Sequence, residues 1–139
     1  MNFFCNPSLS RFSYAALRIM TGLLFMQHGV QKLFGMFGGV DGKGATAQMA
    51  SLAGVAGVLE FLGGALIVVG LFTRPVAFLL AGEMAYAYWM IHVAHGGPIP
   101  VLNHGEFAAL LCFVFLFLAF NGGGPFSVDA GRERRRSPA

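Results

Sequence analysis

Four apolar stretches, each about as long as a bilayer is thick, set the limits on this chain. They run from about Phe12 to Phe34, Ser51 to Phe72, Pro75 to Ala94 and Asn103 to Phe120. A hydrocarbon core about 30 Å thick takes about 20 apolar residues as a helix. The four stretches use most of the 139 residues, which leaves no length for a separate soluble domain. Composition closes the alternatives. Charged residues are 11% of the chain, against a soluble norm of about 25%. That is too little polar surface to cover a soluble domain of this size. The same scarcity of charge excludes a disordered chain. The expected fold is an all-α membrane protein, a four-transmembrane-helix bundle.

The connections divide the chain into an N-terminal segment (1–11), a transmembrane domain (12–121) and a Gly-rich exit with a basic, disordered tail (122–139). FGMFGGVDGKG, from Phe34 to Gly44, reads as a loop. In LFTRP, Thr73 suits a helix cap and Pro75 a first turn. HGGPIPVLNHG, from His95 to Gly105, carries two helix-breaking prolines. The first stretch is too long for a cleaved signal, contains Arg18 and Lys32, and lacks a small-residue cleavage site. Arg11, Arg74 and Arg132 through the tail crowd one side of an even number of spans. The positive-inside rule then expects both termini in the cytoplasm. The expected location is a bacterial inner (plasma) membrane, crossed several times.

The net charge of +3 is not patterned for nucleic acid. Arg132, Arg134, Arg135 and Arg136 point instead to anionic lipid headgroups. Cys5 and Cys112 form no CxxC and predict neither a disulfide framework nor a thiol relay.

The charges inside the apolar stretches carry the functional information. Arg18, Lys32, Glu60 and Glu83 lie within them, and Glu106 opens the fourth. Each charge at a helix centre costs about 2.5–3.5 kcal/mol, so the bundle must supply partners, water or protons. At about 1.5 Å per residue, Arg18 and Glu83 lie at similar depth, as do Lys32 and Glu106, with Glu60 near the middle. Arg18–Glu83 and Lys32–Glu106 are the pairs expected from depth, and Glu60 fits either layer. Helical periodicity puts Glu60 on a face with Ala53, Gly57, Gly64 and Ile67. Small residues there let a neighbouring helix approach closely. These ions read either as internal salt bridges fixing the bundle or as a polar pocket for a small redox or proton-carrying ligand.

Other motifs carry less. His92, His95 and His104 cluster near the third loop, with His28 at similar depth, but His92 and His95 are only a helix-end spacing. The sequence contains no metal, flavin or haem motif. The Gly122–Gly124 run lacks the Lys-Ser/Thr context of a phosphate loop.

RIMTGLLFMQHGVQKLF, Arg18 to Phe34, resembles the first helix of the DoxX family. EFLGGALIVVGLFTR, Glu60 to Arg74, resembles its second helix and the turn after it, and NHGE and GGGPFSVD its fourth helix and ending. The likeness runs from about residue 14 to 130. It implies a small four-helix membrane protein associated with quinone-linked oxidoreductases that handle sulfur or oxidative stress. The resulting expectation is a membrane subunit that binds quinone or another small redox ligand. Arg18, His28, Lys32 and Glu106 would hold the ligand, and Glu60 and Glu83 would serve catalysis by relaying protons. Any other redox centre would come from a soluble oxidoreductase or sulfurtransferase partner. Self-association is a further expectation. The competing reading is non-enzymatic, a scaffold, assembly factor or small-solute permease.

Overall fold

Asn6 begins the first helix by accepting a hydrogen bond from the Ser8 N–H, with Pro7 in the first turn. The computed structural model describes residues 6–136, so Cys5 lies outside the described residues. The helix, α1 (Pro7–Phe34), starts five residues before the apolar stretch and ends at Gly35, whose φ of 68° breaks it. Helix α2 spans Leu52–Val69, α3 spans Thr73–Gly96 and α4 spans Glu106–Asn121. Among the described residues the fold is all-helical, without a strand. Helices α2 and α3 are long and apolar enough to cross a membrane. Helix α4 is apolar but has 16 residues.

Two expectations about local structure change. Thr73 does not cap α3. Phe72, at φ 51°, precedes the helix without a side-chain cap of its own. Asp129 caps it from 57 residues away, accepting the Phe72 and Thr73 N–H groups at 2.9 and 2.8 Å. The tail is also not wholly irregular, because α5 (Val128–Arg136) follows the Gly-rich exit. Ser127 Oγ accepts from Ala130 N at its start, Asp129 sits in the first turn and three Arg sit in the last, an order that suits the helix dipole.

Glycines set the packing of α1 on α2. A Cβ on Gly29 would stand 2.4 Å from Phe61 N, and one on Gly22 would stand 2.7 Å from the Gly64 carbonyl oxygen. A Cβ on Gly57 would meet the Lys32 stem at 3.0 Å. Backbones therefore touch where side chains would hold them apart, as small residues allow between apolar helices. Helix α3 packs along α4, and the Phe25 and Phe115 rings, 4.9 Å apart and edge to face, join α1 to α4. The core runs through Phe25, Ile67, Leu80, Met84, Phe115 and Leu118. Helices α2 and α3 touch less, and a cleft lies between them.

The close packing makes a prediction. Gly29→Ala should destabilise the protein by about 1–3 kcal/mol, because the α2 backbone has to move. Gly82→Ala should be neutral or stabilising, because a Cβ there meets nothing within 4 Å. Thermal unfolding in detergent checks both, and equal effects would contradict the packing described.

Candidate functional site

The α2–α3 cleft has a volume of about 960 Å³. Its wall is apolar except at Lys32, Glu60, Glu83 and Tyr86. Its lip is formed by the exposed side chains of Leu52, Phe78 and Leu79. Glu60 reaches it from a widened turn of α2, Leu59–Gly63, in which the backbone pairs i to i+5. Such turns are rare and are frequent at functional sites. A second widened turn, Ala87–Val93, lies in α3 beyond Glu83.

The Lys32 stem crosses Gly57 and places Nζ 2.5 Å from Glu60 Oε1. Glu60 is 4% exposed, and its other oxygen, Oε2, is buried without a partner. Both oxygens of Glu83 are buried without a partner as well. Polar atoms buried in this way are uncommon, because leaving one unpaired costs about 1–3 kcal/mol. Beside Glu83, Gly82 leaves the cleft open. The cleft thus combines an apolar body, one ammonium already paired, and three carboxyl oxygens free to bond.

The other expected site residues stand elsewhere. Lys32 pairs with Glu60, not with Glu106, whose side chain is exposed at the start of α4. The exposed His28 ring lies 5.2 Å from the Phe107 ring. His92 Nδ1 bonds the Asn103 carbonyl at 3.0 Å, and His95 Nδ1 bonds that of Ile91 at 2.6 Å. Neither is part of the cleft lining.

Arg18 is the largest correction. It pairs with neither Glu83 nor Glu60. It is 1% exposed and donates to three backbone carbonyls, Ile67 and Val68 at 3.1 Å and Phe126 at 2.7 Å. The reason is physical. The end of α2 presents carbonyls with spare acceptor capacity (that of Ile67 also takes the Gly70 N–H at 3.2 Å), and a cation there meets the negative end of the helix dipole. Gly70 is needed beside it, since a Cβ would stand 2.1 Å from Arg18 Nη1.

Arg18 belongs to a clasp at one end of the bundle. Tyr14 donates to the Gly122 carbonyl at 2.6 Å, Arg74 donates to the Ala119 and Phe120 carbonyls, and Asp129 caps α3 while its own N–H bonds Gly70. Sequence reasoning missed Asp129 and Tyr14. Their one signal is the pairing of a Thr-Arg turn with a distant Ser-x-Asp ending.

A profile of the DoxX family matches residues 13–93. The chain belongs to the DoxX family. The matched region contains Arg18, Lys32, Glu60 and Glu83, so it includes every charged residue of the cleft. An uncharacterized protein of Haemophilus influenzae is 42% identical over 118 residues, covering 83% of this chain and 87% of that protein. A Bacillus subtilis protein named "Putative oxidoreductase CatD" is 31% identical over 113 residues, covering 81% of each. No solved structure matches this DoxX-family chain.

The clasp gives a pH dependence. Burial works to raise the Asp129 carboxyl, but the Thr73 and Phe72 N–H groups outweigh it and hold it below the usual carboxylate range. A depressed value contributes stability above the ordinary Asp value, about 3.9, and that stability is lost as pH falls through the lower folded value. Asp129→Asn should cost about 1 kcal/mol at neutral pH, as helix caps do. Its difference from wild type should shrink as the pH falls below about 4. Thermal unfolding across pH checks this, and a difference that stays constant would contradict the cap's charge.

Proposed function

We propose that this DoxX-family chain is a subunit of a quinone-linked oxidoreductase system and binds quinone, or a redox ligand of that kind, in the α2–α3 cleft. One observation carries the reading. Both Glu83 oxygens are buried without partners beside the Lys32–Glu60 pair, in an otherwise apolar space. At about 960 Å³ the cleft is within the range of small-molecule sites, about 300–1,000 Å³. A quinone or quinol ring is flat and apolar with an oxygen at each end, so the ring suits the apolar wall and the oxygens are within the chemistry of Lys32, Tyr86 and the carboxyl groups. When bound, it supplies the electron chemistry. Lys32 holds Glu60 in place and can donate a second hydrogen bond. Tyr86 adds a hydroxyl. Glu60 and Glu83 are the groups able to hold or move a proton. The exposed lip of Leu52, Phe78 and Leu79 suits an apolar ligand arriving from lipid.

The proposal places all four helices α1–α4 across a bacterial inner membrane, with both termini in the cytoplasm. The clasp then lies at the cytoplasmic face, with α5 and its arginines against anionic headgroups. A soluble oxidoreductase or sulfurtransferase would dock from outside the chain. The oxidoreductase name carried by the Bacillus subtilis relative supports the general class. Arg18, His28 and Glu106 drop out of the ligand site under this reading, because none of them lines the cleft.

Gly82→Leu tests the site without touching a charged residue. A side chain there fills the cleft and improves helix propensity, so stability should hold or rise. Wild type purified from quinone-containing membranes should retain quinone measurable by mass spectrometry of its lipid extract. Gly82→Leu should retain about tenfold less, matching roughly 1.4 kcal/mol of lost contact. A quinone-free wild type, or equal retention in both, would sink the proposal.

A further inference from the structure

The buried polar atoms left unpaired in the cleft are all of one kind. Glu60 Oε2, Glu83 Oε1 and Glu83 Oε2 are buried without partners, and each is a carboxyl oxygen. The ammonium that could balance them, Lys32, is engaged with Glu60 Oε1 at 2.5 Å. From this geometry we propose that the cleft discriminates between the redox states of its ligand, holding the hydroxyl-bearing quinol more tightly than the quinone. The inference rests on the quinone reading above and adds to it the state that the site prefers.

Hydrogen-bond bookkeeping decides the direction. An ionised carboxylate only accepts, and a protonated one offers a single O–H. Three orphaned oxygens therefore need ligand donors when Glu83 is charged, and two still need them when it carries a proton. A quinone has two carbonyl oxygens and no donor. It can engage Lys32, Tyr86 or a protonated Glu83, but it leaves at least two carboxyl oxygens unpaired. A quinol carries two O–H groups and can satisfy two of those oxygens while its ring covers the same apolar wall. Acceptors left unpaired away from water weaken binding more than extra contacts strengthen it.

The surroundings favour such a contact. Glu60 stands in the widened turn Leu59–Gly63, and Glu83 follows Gly82, where a Cβ would meet nothing within 4 Å. Phe78 and Tyr86 also line the cleft and offer ring faces on the helix that carries Glu83. One hydrogen bond to a charged group corresponds to about a tenfold difference in affinity or more. Tighter binding of the reduced form raises the midpoint potential of the bound couple, by about 30 mV for each tenfold difference in a two-electron couple.

The test measures decylubiquinol and decylubiquinone binding to the full chain in quinone-free nanodiscs, without oxygen, with empty nanodiscs subtracted. Wild type should bind the quinol at least about tenfold more tightly. Glu83→Gln, which replaces one acceptor oxygen with an N–H donor, should remove or reverse that preference while still binding a ligand. Gly82→Leu should lose both. Equal affinities, or tighter quinone, with both lost in Gly82→Leu, would overturn the selectivity and leave the quinone site standing. Binding of neither ligand by wild type would overturn the site and the selectivity together. The wild-type ratio needs no variant, so a Glu83→Gln protein that failed to fold would leave the test intact.

Discussion

Polar groups taken into apolar surroundings must find partners inside the protein, and this chain meets that requirement in two ways. At one end, charged side chains bond backbone groups, with only Arg18 Nε and the Thr73 hydroxyl oxygen among the described residues there buried without a partner. Arg18 closes the end of α2, Asp129 opens α3, Arg74 closes α4, and the Gly-rich exit is drawn in by Tyr14 and Arg18. In the cleft the match is incomplete. Lys32 satisfies one oxygen of Glu60 and leaves three carboxyl oxygens over. The clasp holds the helices in place through backbone contacts, whereas the unpaired carboxyl oxygens of Glu60 and Glu83 line an open cleft.

Much of this was legible in the sequence and some could not be. The four helical stretches follow from the length of apolar runs and the Gly and Pro that punctuate them. The Glu60 face was readable too, since Gly57, Gly64 and Ile67 are buried with it, though Ala53 is exposed. Pairing was not readable. Depth alone matched Arg18 to Glu83 and Lys32 to Glu106, but depth does not fix which helices touch or how each is rotated. It also leaves out backbone carbonyls as partners, which is where Arg18 went. The widened turns at Leu59–Gly63 and Ala87–Val93 shift helix facing and have no periodic signature. The Asp129 cap spans 57 residues, beyond any local rule for helix starts.

The packing and the chemistry depend on the same residues. Gly57 is small so that the Lys32 stem can cross it, and that crossing delivers the ammonium to Glu60. Gly29 and Gly22 bring α1 against α2 so the stem can reach. Gly82 is different, because a Cβ there would meet nothing within 4 Å and it precedes Glu83, whose two carboxyl oxygens are buried without partners. Glycines in one chain thus serve close approach in some places and open space in another. Only the second kind points to a ligand.

The central claim is that the Glu83 carboxyl waits for a ligand. Infrared difference spectra of the protein in nanodiscs, recorded as decylubiquinone or decylubiquinol is added, test it directly. The account predicts a shift in a side-chain carboxyl band that disappears in Glu83→Gln. A ligand-induced spectrum without any carboxyl change, or a carboxyl change that persists in Glu83→Gln, would contradict it.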